Sequence, residues 1–433
     1  MKAAIGAMVG VILMVGSVPV WADEPTGAAL KADIEVLKAR LAKLESQVQA
    51  SEPQGISSLG EKGAVPTLEL PSGLAGIQMS GYVDSSFGYS FNEPSSATAT
   101  TNRARVFDTQ ANGFTLQAAE LVLEKPLSNE TPIGFRTDLF FGDDAELIHS
   151  TGLGNVSPAV GENPQAFDLQ QAYVTARAPI GEGLDFKVGK FVTLLGAEVI
   201  ESPANWNFSR SFLFGYAIPF THTGALVSYP LLGELGSTTV GVVNGWDIVD
   251  DNNQGKSLIG NLTLTPMQGV TLAFNGITGP ERAADNKNDR TVFDSVVTYQ
   301  PIEPLTLMAN YDYGHESSMT QGAPGTPGFD TANWQGLALY AKYDLTPTWS
   351  LAGRWEWFDD SDNVRLGLSS ANGVANDDID YYEWTLTSQW QLYSHLIGRL
   401  EYRHDKADEA VFLRHDGFTH YQDTVAGELI YHF

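Results

Sequence analysis

From residue 77 onward the sequence alternates apolar and polar residues with a period of two, and no helical period interrupts it. In 349–357, Trp349, Leu351, Gly353, Trp355 and Trp357 share one parity, opposite Ser350, Arg354 and Glu356. The same pattern sets Leu305, Leu307, Ala309, Tyr311 and Tyr313 against Thr306, Asn310 and Asp312, and Ile133, Phe135, Leu139 and Phe141 against Arg136 and Asp138. It recurs in sixteen segments: 77–91, 113–125, 131–142, 167–180, 183–192, 219–230, 236–247, 257–266, 269–279, 291–301, 304–314, 333–345, 348–358, 380–391, 395–404 and 421–433. The connections alternate too, seven tight turns with eight long loops. Apolar–polar alternation over strands of this length, with one short-turn end and one long-loop end, predicts an all-β fold: a 16-stranded antiparallel transmembrane β-barrel. A sheet in lipid has to close, because unpaired edges cannot be hydrated there. Sixteen tilted strands about 4.8 Å apart give a ring about 30 Å across, too wide for side chains alone to fill. The lumen is therefore expected to hold water or an inward-folded loop.

Composition agrees. The formal net charge is −27, apolar residues make up 43%, and there is no cysteine. The apolar and aromatic content excludes disorder, and the charge repels nucleic acid. Without cysteine there is no disulfide framework, C-x-x-C-H haem site, thiolate metal site or cysteine nucleophile. G-x-S-x-G, H-E-x-x-H and Walker patterns are absent from the sequence, so no enzyme activity and no cofactor are expected.

The N-terminus reads as three pieces. Lys2, an uncharged run from Ala3 to Val18 and Val20-Trp21-Ala22 form a secretory signal peptide over 1–22. Within 23–50, Leu30, Ile34, Leu37, Leu41, Leu44 and Val48 fill alternating a and d positions of a short coiled-coil helix. A helix this short is marginal alone, so self-association is expected. Residues 51–76, rich in Ser, Gly and Pro, read as a linker to the barrel at 77–433. An even strand number leaves both ends of the barrel in the periplasm, where the coiled coil would bundle a homotrimer. β-Branched residues at a with Leu at d also allow a dimer.

With apolar faces toward outer-membrane lipids, the other parity lines the lumen. Its charged wall is expected to include Arg136, Asp138, Arg354, Glu356, Glu383, Arg399, Glu401 and Arg403. Acids outnumber bases on this parity, thirteen to seven, which favours cations modestly. The third long loop, 193–218, holds Leu194, Leu195, Phe208, Phe212, Leu213 and Phe214, too apolar to stay in water. It is predicted to fold inward, with Glu198, Glu201, Asn205, Asn207 and Arg210 as polar contacts at the pore constriction. The alternative is packing over the barrel mouth or against a neighbouring subunit. The remaining long loops are acidic and read as a solvated external face. Asp247 to Asn253, and His404, His415 and His420 with nearby Asp, are weak candidates for metal binding.

Particular runs carry a resemblance. Asp168-Leu169-Gln170-Gln171-Ala172-Tyr173-Val174, Val188-Gly189-Lys190-Phe191, Gly196-Ala197-Glu198, Asn207-Phe208-Ser209-Arg210-Ser211, Pro219-Phe220-Thr221-His222-Thr223-Gly224 and Val243-Asn244-Gly245-Trp246-Asp247 resemble the OmpL-like, type-2 β-barrel porins. The likeness covers about 77–433. It implies a passive outer-membrane channel for small hydrophilic solutes or ions, and it brings no catalytic residues. The N-terminal heptads are similar to those of the trimeric phosphate-selective porins. Those use a lysine ladder, and the few lysines on the expected lumen wall argue against phosphate selectivity. Two other readings stay open: a sheath around a periplasmic electron-transfer partner, and a tether from the outer membrane to the cell wall through residues 23–60.

Overall fold

The computed structural model describes residues 76–94, 101–152, 166–231, 235–317, 331–368, 379–415 and 417–433. The signal peptide, the heptads and the linker up to residue 75 lie outside the described residues. In chain order the strands are β1 (Gln78–Ser90), β2 (Gly113–Lys125), β3 (Ile133–Phe141), β4 (Phe167–Ala178), β5 (Leu184–Val192), β6 (Thr221–Leu231), β7 (Gly236–Val243) and β8 (Ser257–Met267). They continue as β9 (Val270–Pro280), β10 (Asp289–Ile302), β11 (Leu305–Ser317), β12 (Thr331–Thr346), β13 (Trp349–Asp360), β14 (Ile379–Tyr393) and β15 (Leu396–Ala407). β16 (Phe412–Arg414) and β17 (Gly417–Thr419) form a small hairpin inside the last long loop, and β18 is Tyr421–His432. Strands β1 to β15 and β18 make one closed barrel of antiparallel neighbours, sealed by β1 against β18. These are the sixteen alternating segments of the sequence.

The period of two survives as burial. In β13, Ser350, Ala352, Arg354, Glu356 and Phe358 are buried, while Trp349 and Trp355 are exposed on the other face. In β18, Gln422, Thr424, Ala426, Glu428 and Ile430 point inward, while Leu429 and Tyr431 point out. The outward aromatics fall in two bands. Tyr299, Tyr343, Trp349, Tyr393 and Tyr431 mark the short-turn rim, and Tyr89, Phe91, Phe141, Phe167, Tyr313 and Tyr421 mark the long-loop rim. From Tyr421 to Tyr431, about ten residues at about 3.3 Å each and a tilt of about 40° rise about 25 Å, the height of a lipid-facing band.

Parity breaks at several places, of which two are instructive. A register shift in β2 opposite Asp84 and Ser85 leaves both Gln117 and Ala118 buried. In β5, Gly189 at φ +140 precedes Lys190 and Phe191, both buried. A Cβ at Gly189 would lie 2.2 Å from the Ala172 carbonyl oxygen, so only glycine lets the two strands approach so closely.

The interior is unequal along its length. On the long-loop side the inward residues are buried, whereas the short-turn end of β12, from Ala341 to Thr346, is largely exposed on both faces. The β12 side of the short-turn end is thus open to solvent. The long-loop half is filled by chain from the loops, with an apolar cluster of Phe107, Phe212, Leu213, Phe214, Ile218 and Phe220 inside the ring.

Candidate functional site

The third long loop, between β5 and β6, contributes most of the filling. It carries a short 3₁₀ turn at Ser202–Ala204 and a π-helical turn at Leu213–Ala217. Its apolar side chains stack together. Phe214 lies 5.4 Å from Phe220 and 5.8 Å from Phe107, ring centre to ring centre, and Phe212 lies 5.6 Å from Tyr381 of β14. These geometries suit edge-on or tilted aromatic pairs.

Such a loop brings backbone amides into the barrel, and each needs a partner. Wall carboxylates supply two pairs. Glu356 of β13 accepts from the amides of Phe212 and Leu213, both at 2.7 Å. Glu401 of β15 accepts from those of Phe208 and Ser209 at 2.7 and 3.0 Å, and also from the Thr387 hydroxyl. Wall arginines take the carbonyls. Arg354 donates to the Ser209 carbonyl, Arg399 to those of Ser202 and Asn205, and Arg403 to that of Arg210. Charge-assisted bonds are the stronger kind, so this face of the wall, β13 to β15, grips the loop by its backbone.

The same arginines are paired with acids. Arg354 meets Glu383 at 2.5 Å and Glu198 at 2.6 Å, Arg399 meets Glu428 at 3.0 Å, and Arg403 meets Asp405 at 2.7 Å. All of these side chains are buried. Buried pairs like these offset much of their own desolvation, and loss of one partner leaves a stranded charge.

Each polar residue expected at the constriction has a definite position. Glu198 joins Arg354 to the amide and hydroxyl of Ser211. Asn205 closes a turn onto Val199 and Glu201. Asn207 donates to Thr387 of β14 at 2.7 Å. Arg210 turns back on its own loop, donating to the carbonyls of Val199, Ile200 and Phe208, with its guanidinium 4.7 Å above the Phe107 ring. Glu201 points the other way and accepts from Gln170 of β4 at 2.7 Å. Four of the five are buried, and most of their polar atoms serve the loop and the wall. Of the expected wall residues, Arg354, Glu356, Glu383, Arg399, Glu401 and Arg403 gather beneath the loop. Arg136 and Asp138 of β3 pair with each other on a different part of the ring, 2.9 Å apart.

Several site residues escaped the sequence reading. The first long loop also turns inward: Arg105 bonds Asp405 at 2.6 Å and pairs with Asp108, and Phe107 packs as above. The Val106-Phe107 pair beside Arg105 was the signal. Trp334 of β12 donates to the Ala217 carbonyl at 3.1 Å. Arg365 donates to the Tyr216 carbonyl at 2.6 Å and stacks on Trp334 and Trp246. Burial pushes the Arg365 guanidinium down to about 10, with Arg290 adding to the shift.

Some acids assigned to a solvated external face are clamps instead. Asp360, buried, accepts from the amides of Val364, Arg365 and Leu366. Asp247 accepts from those of Phe220 and Thr221 at 2.9 and 2.8 Å, and burial still pushes it up to about 6. One Asp247 oxygen is thus engaged by the amides that begin β6. Among the described residues, His404, His415 and His420 do not converge on a metal-binding group; His404 bonds Asp423 at 2.7 Å. One group of three carboxylates does converge: Glu120, Asp138 and Glu201.

A model of the family described as "Putative beta-barrel porin-2, OmpL-like" matches residues 76–433. No curated protein matches the sequence. Among solved structures, the anion-selective porin from Comamonas acidovorans is similar at 12% identity and TM-score 0.54, over 82% of this chain and 99% of that one. OmpF of Salmonella typhi, in complex with daunomycin, is similar at 11% identity and TM-score 0.53, over 82% and 97%. OmpT, an outer membrane protein of Vibrio cholerae, in its trimer form is similar at 10% identity and TM-score 0.51, over 82% and 99%. At these identities the likeness is one of fold.

Proposed function

As the chain belongs to the OmpL-like β-barrel porin-2 family and is an outer-membrane porin, we propose that it is a passive diffusion channel for small hydrophilic solutes or ions, narrowed by the inward loop 193–218. The observation that carries this reading is the backbone grip of Glu356 and Glu401 on consecutive loop amides. A loop fixed at four amides to the wall restricts the lumen at a constant position. Selection then follows from the size of the gap and the charge of the wall that the loop leaves uncovered. Across the lumen-facing parity as a whole, carboxylates outnumber bases, which supports a weak preference for cations.

We further propose a homotrimer, bundled in the periplasm by Leu30, Ile34, Leu37, Leu41, Leu44 and Val48. In that arrangement 1–22 is a cleaved signal peptide, 23–50 the coiled coil and 51–76 the linker. The sheath alternative needs an unobstructed lumen, and the loops packed into the long-loop half favour the channel over it. Deleting residues 198–214 should raise single-channel conductance. Unchanged conductance would remove the loop from the account.

A further inference from the structure

Glu120 of β2, Asp138 of β3 and Glu201 of the inward loop place carboxylate oxygens within 4.8 Å of one another. Within the group, Arg136 donates to both oxygens of Asp138, at 2.9 and 3.0 Å. One guanidinium stands against three carboxyl groups, so their formal charges do not balance. The surroundings also hold unspent oxygens. Glu120 is buried, and its Oε1 has no hydrogen-bond partner. Gln170 is fully buried and donates its amide nitrogen to Glu201 at 2.7 Å, yet its Oε1 has no partner. The Tyr82 hydroxyl, across the β1–β2 register from Glu120, is buried and unpartnered as well. A buried oxygen without a donor is costly, and a buried carboxylate more so. A cation at the carboxylate group would engage unpartnered acceptor oxygens such as that of Glu120.

We propose that Glu120, Asp138 and Glu201, with the amide oxygen of Gln170, bind one hard divalent cation of the Ca²⁺ class, which ties the inward loop to the β2–β3 wall. The donor set is all oxygen, which suits hard ions and not the softer transition metals. Ca²⁺ takes oxygens at about 2.3–2.6 Å, so ligands on opposite sides lie about 5 Å apart, in keeping with the span of this group. Mg²⁺, at about 2.0–2.1 Å and strictly octahedral, needs a tighter cage. The position gives the ion a consequence. Loop residues 202–213 are already fastened to β13–β15, while Glu201, just before the 3₁₀ turn, reaches Gln170 of β4. An ion at Glu201 would pin the loop at both flanks. This effect on the pore rests on the channel reading above; binding itself does not.

The test uses the full-length protein in detergent, stripped with EDTA and titrated with CaCl₂ by calorimetry, beside planar-bilayer recording with and without Ca²⁺. The expected result is one Ca²⁺ per chain, bound at least about tenfold more weakly in Glu120→Gln and in Glu201→Gln, with Mg²⁺ weaker than Ca²⁺. The external-loop variant Asp250→Asn/Asp251→Asn should bind as the parent does. Ca²⁺ should lower the conductance of the parent and leave that of Glu201→Gln unchanged. Heat-modifiable electrophoretic mobility verifies that each variant is a closed barrel. Undiminished binding in both site variants, or loss of binding in the external-loop variant alone, overturns the proposal. So does a parent that binds no Ca²⁺. Conductance without any Ca²⁺ binding would refute the cation site and leave the channel standing. Site-dependent Ca²⁺ binding without conductance would refute the channel and leave the site.

Discussion

Glu356→Gln keeps the shape of a wall side chain while removing its charge and one of its two acceptor oxygens. In the parent, both carboxylate oxygens are used, one on the Phe212 amide and one on the Leu213 amide, each at 2.7 Å. Hydrogen bonds to a charged acceptor contribute about 1.5–3 kcal/mol each, and neutral ones about 1 kcal/mol. Glutamine can keep one amide on its oxygen, but it turns an NH₂ donor toward the other. The net loss in loop docking is about 3 kcal/mol. Arg354 keeps Glu383 and Glu198, so the neighbouring pair survives the change. At about 1.4 kcal/mol per factor of ten, the detached state of the loop becomes about 100-fold more populated. The assay is single-channel recording, in which an unsteady loop appears as excess open-channel noise and brief larger-conductance substates. The barrel strands are untouched, so the heat-modifiable electrophoretic shift should be retained. A variant as quiet as the parent, at the same conductance, would refute the claim that wall carboxylates hold the loop.

Three further outcomes are expected. Arg354→Met takes the nearest cation from both Glu383 and Glu198 and frees the Ser209 carbonyl, so the thermal midpoint of barrel unfolding should fall by an amount equivalent to about 3–5 kcal/mol; a shift under about 1 kcal/mol would show that these pairs do not matter. Gly314→Ala would put a Cβ 1.8 Å from the Trp334 ring, which is buried and bonded to Ala217, so assembly yield should drop, and normal folding would contradict the close packing seen there. Asp247 sits at about 6 in the folded barrel against about 4 in an unfolded chain. A raised acid pKa means the folded state holds the proton more tightly, so this contribution is fully present below about 4 and lost as pH rises through about 6. Asp247→Asn, measured by thermal unfolding from pH 4 to 8, should therefore flatten that part of the profile; an unchanged slope would assign the proton elsewhere.

The barrel was legible because a membrane sheet has little freedom: its inward and outward residues must alternate, and its turns must lie at two ends. All sixteen strands follow from that pattern, including Trp349 and Tyr431 toward lipid and Arg354 and Glu428 toward the lumen. The inward bend of loop 193–218 was suggested by Phe208, Phe212 and Phe214, because apolar side chains seek the one dry volume available. What the sequence concealed was the partners. Nothing in the spacing of Glu356 and Glu401 says that they meet backbone amides some 140 to 190 residues earlier. Acids in loops read as solvated because that is their commonest fate, yet Asp247 and the buried Asp360 clamp backbone amides. The first long loop was missed because Arg105 and Phe107 sit in a polar stretch without a period. Part of the acidic excess thus serves as backbone anchors rather than as a charged mouth.

The central claim, an outer-membrane channel narrowed by its own loop, is tested most directly by planar-bilayer recording of the purified protein in a salt gradient. The account predicts discrete conductance steps in groups of three, a reversal potential on the cation-selective side, and larger steps after deletion of residues 198–214. Protein that inserts as a closed barrel and yields no steps would contradict it.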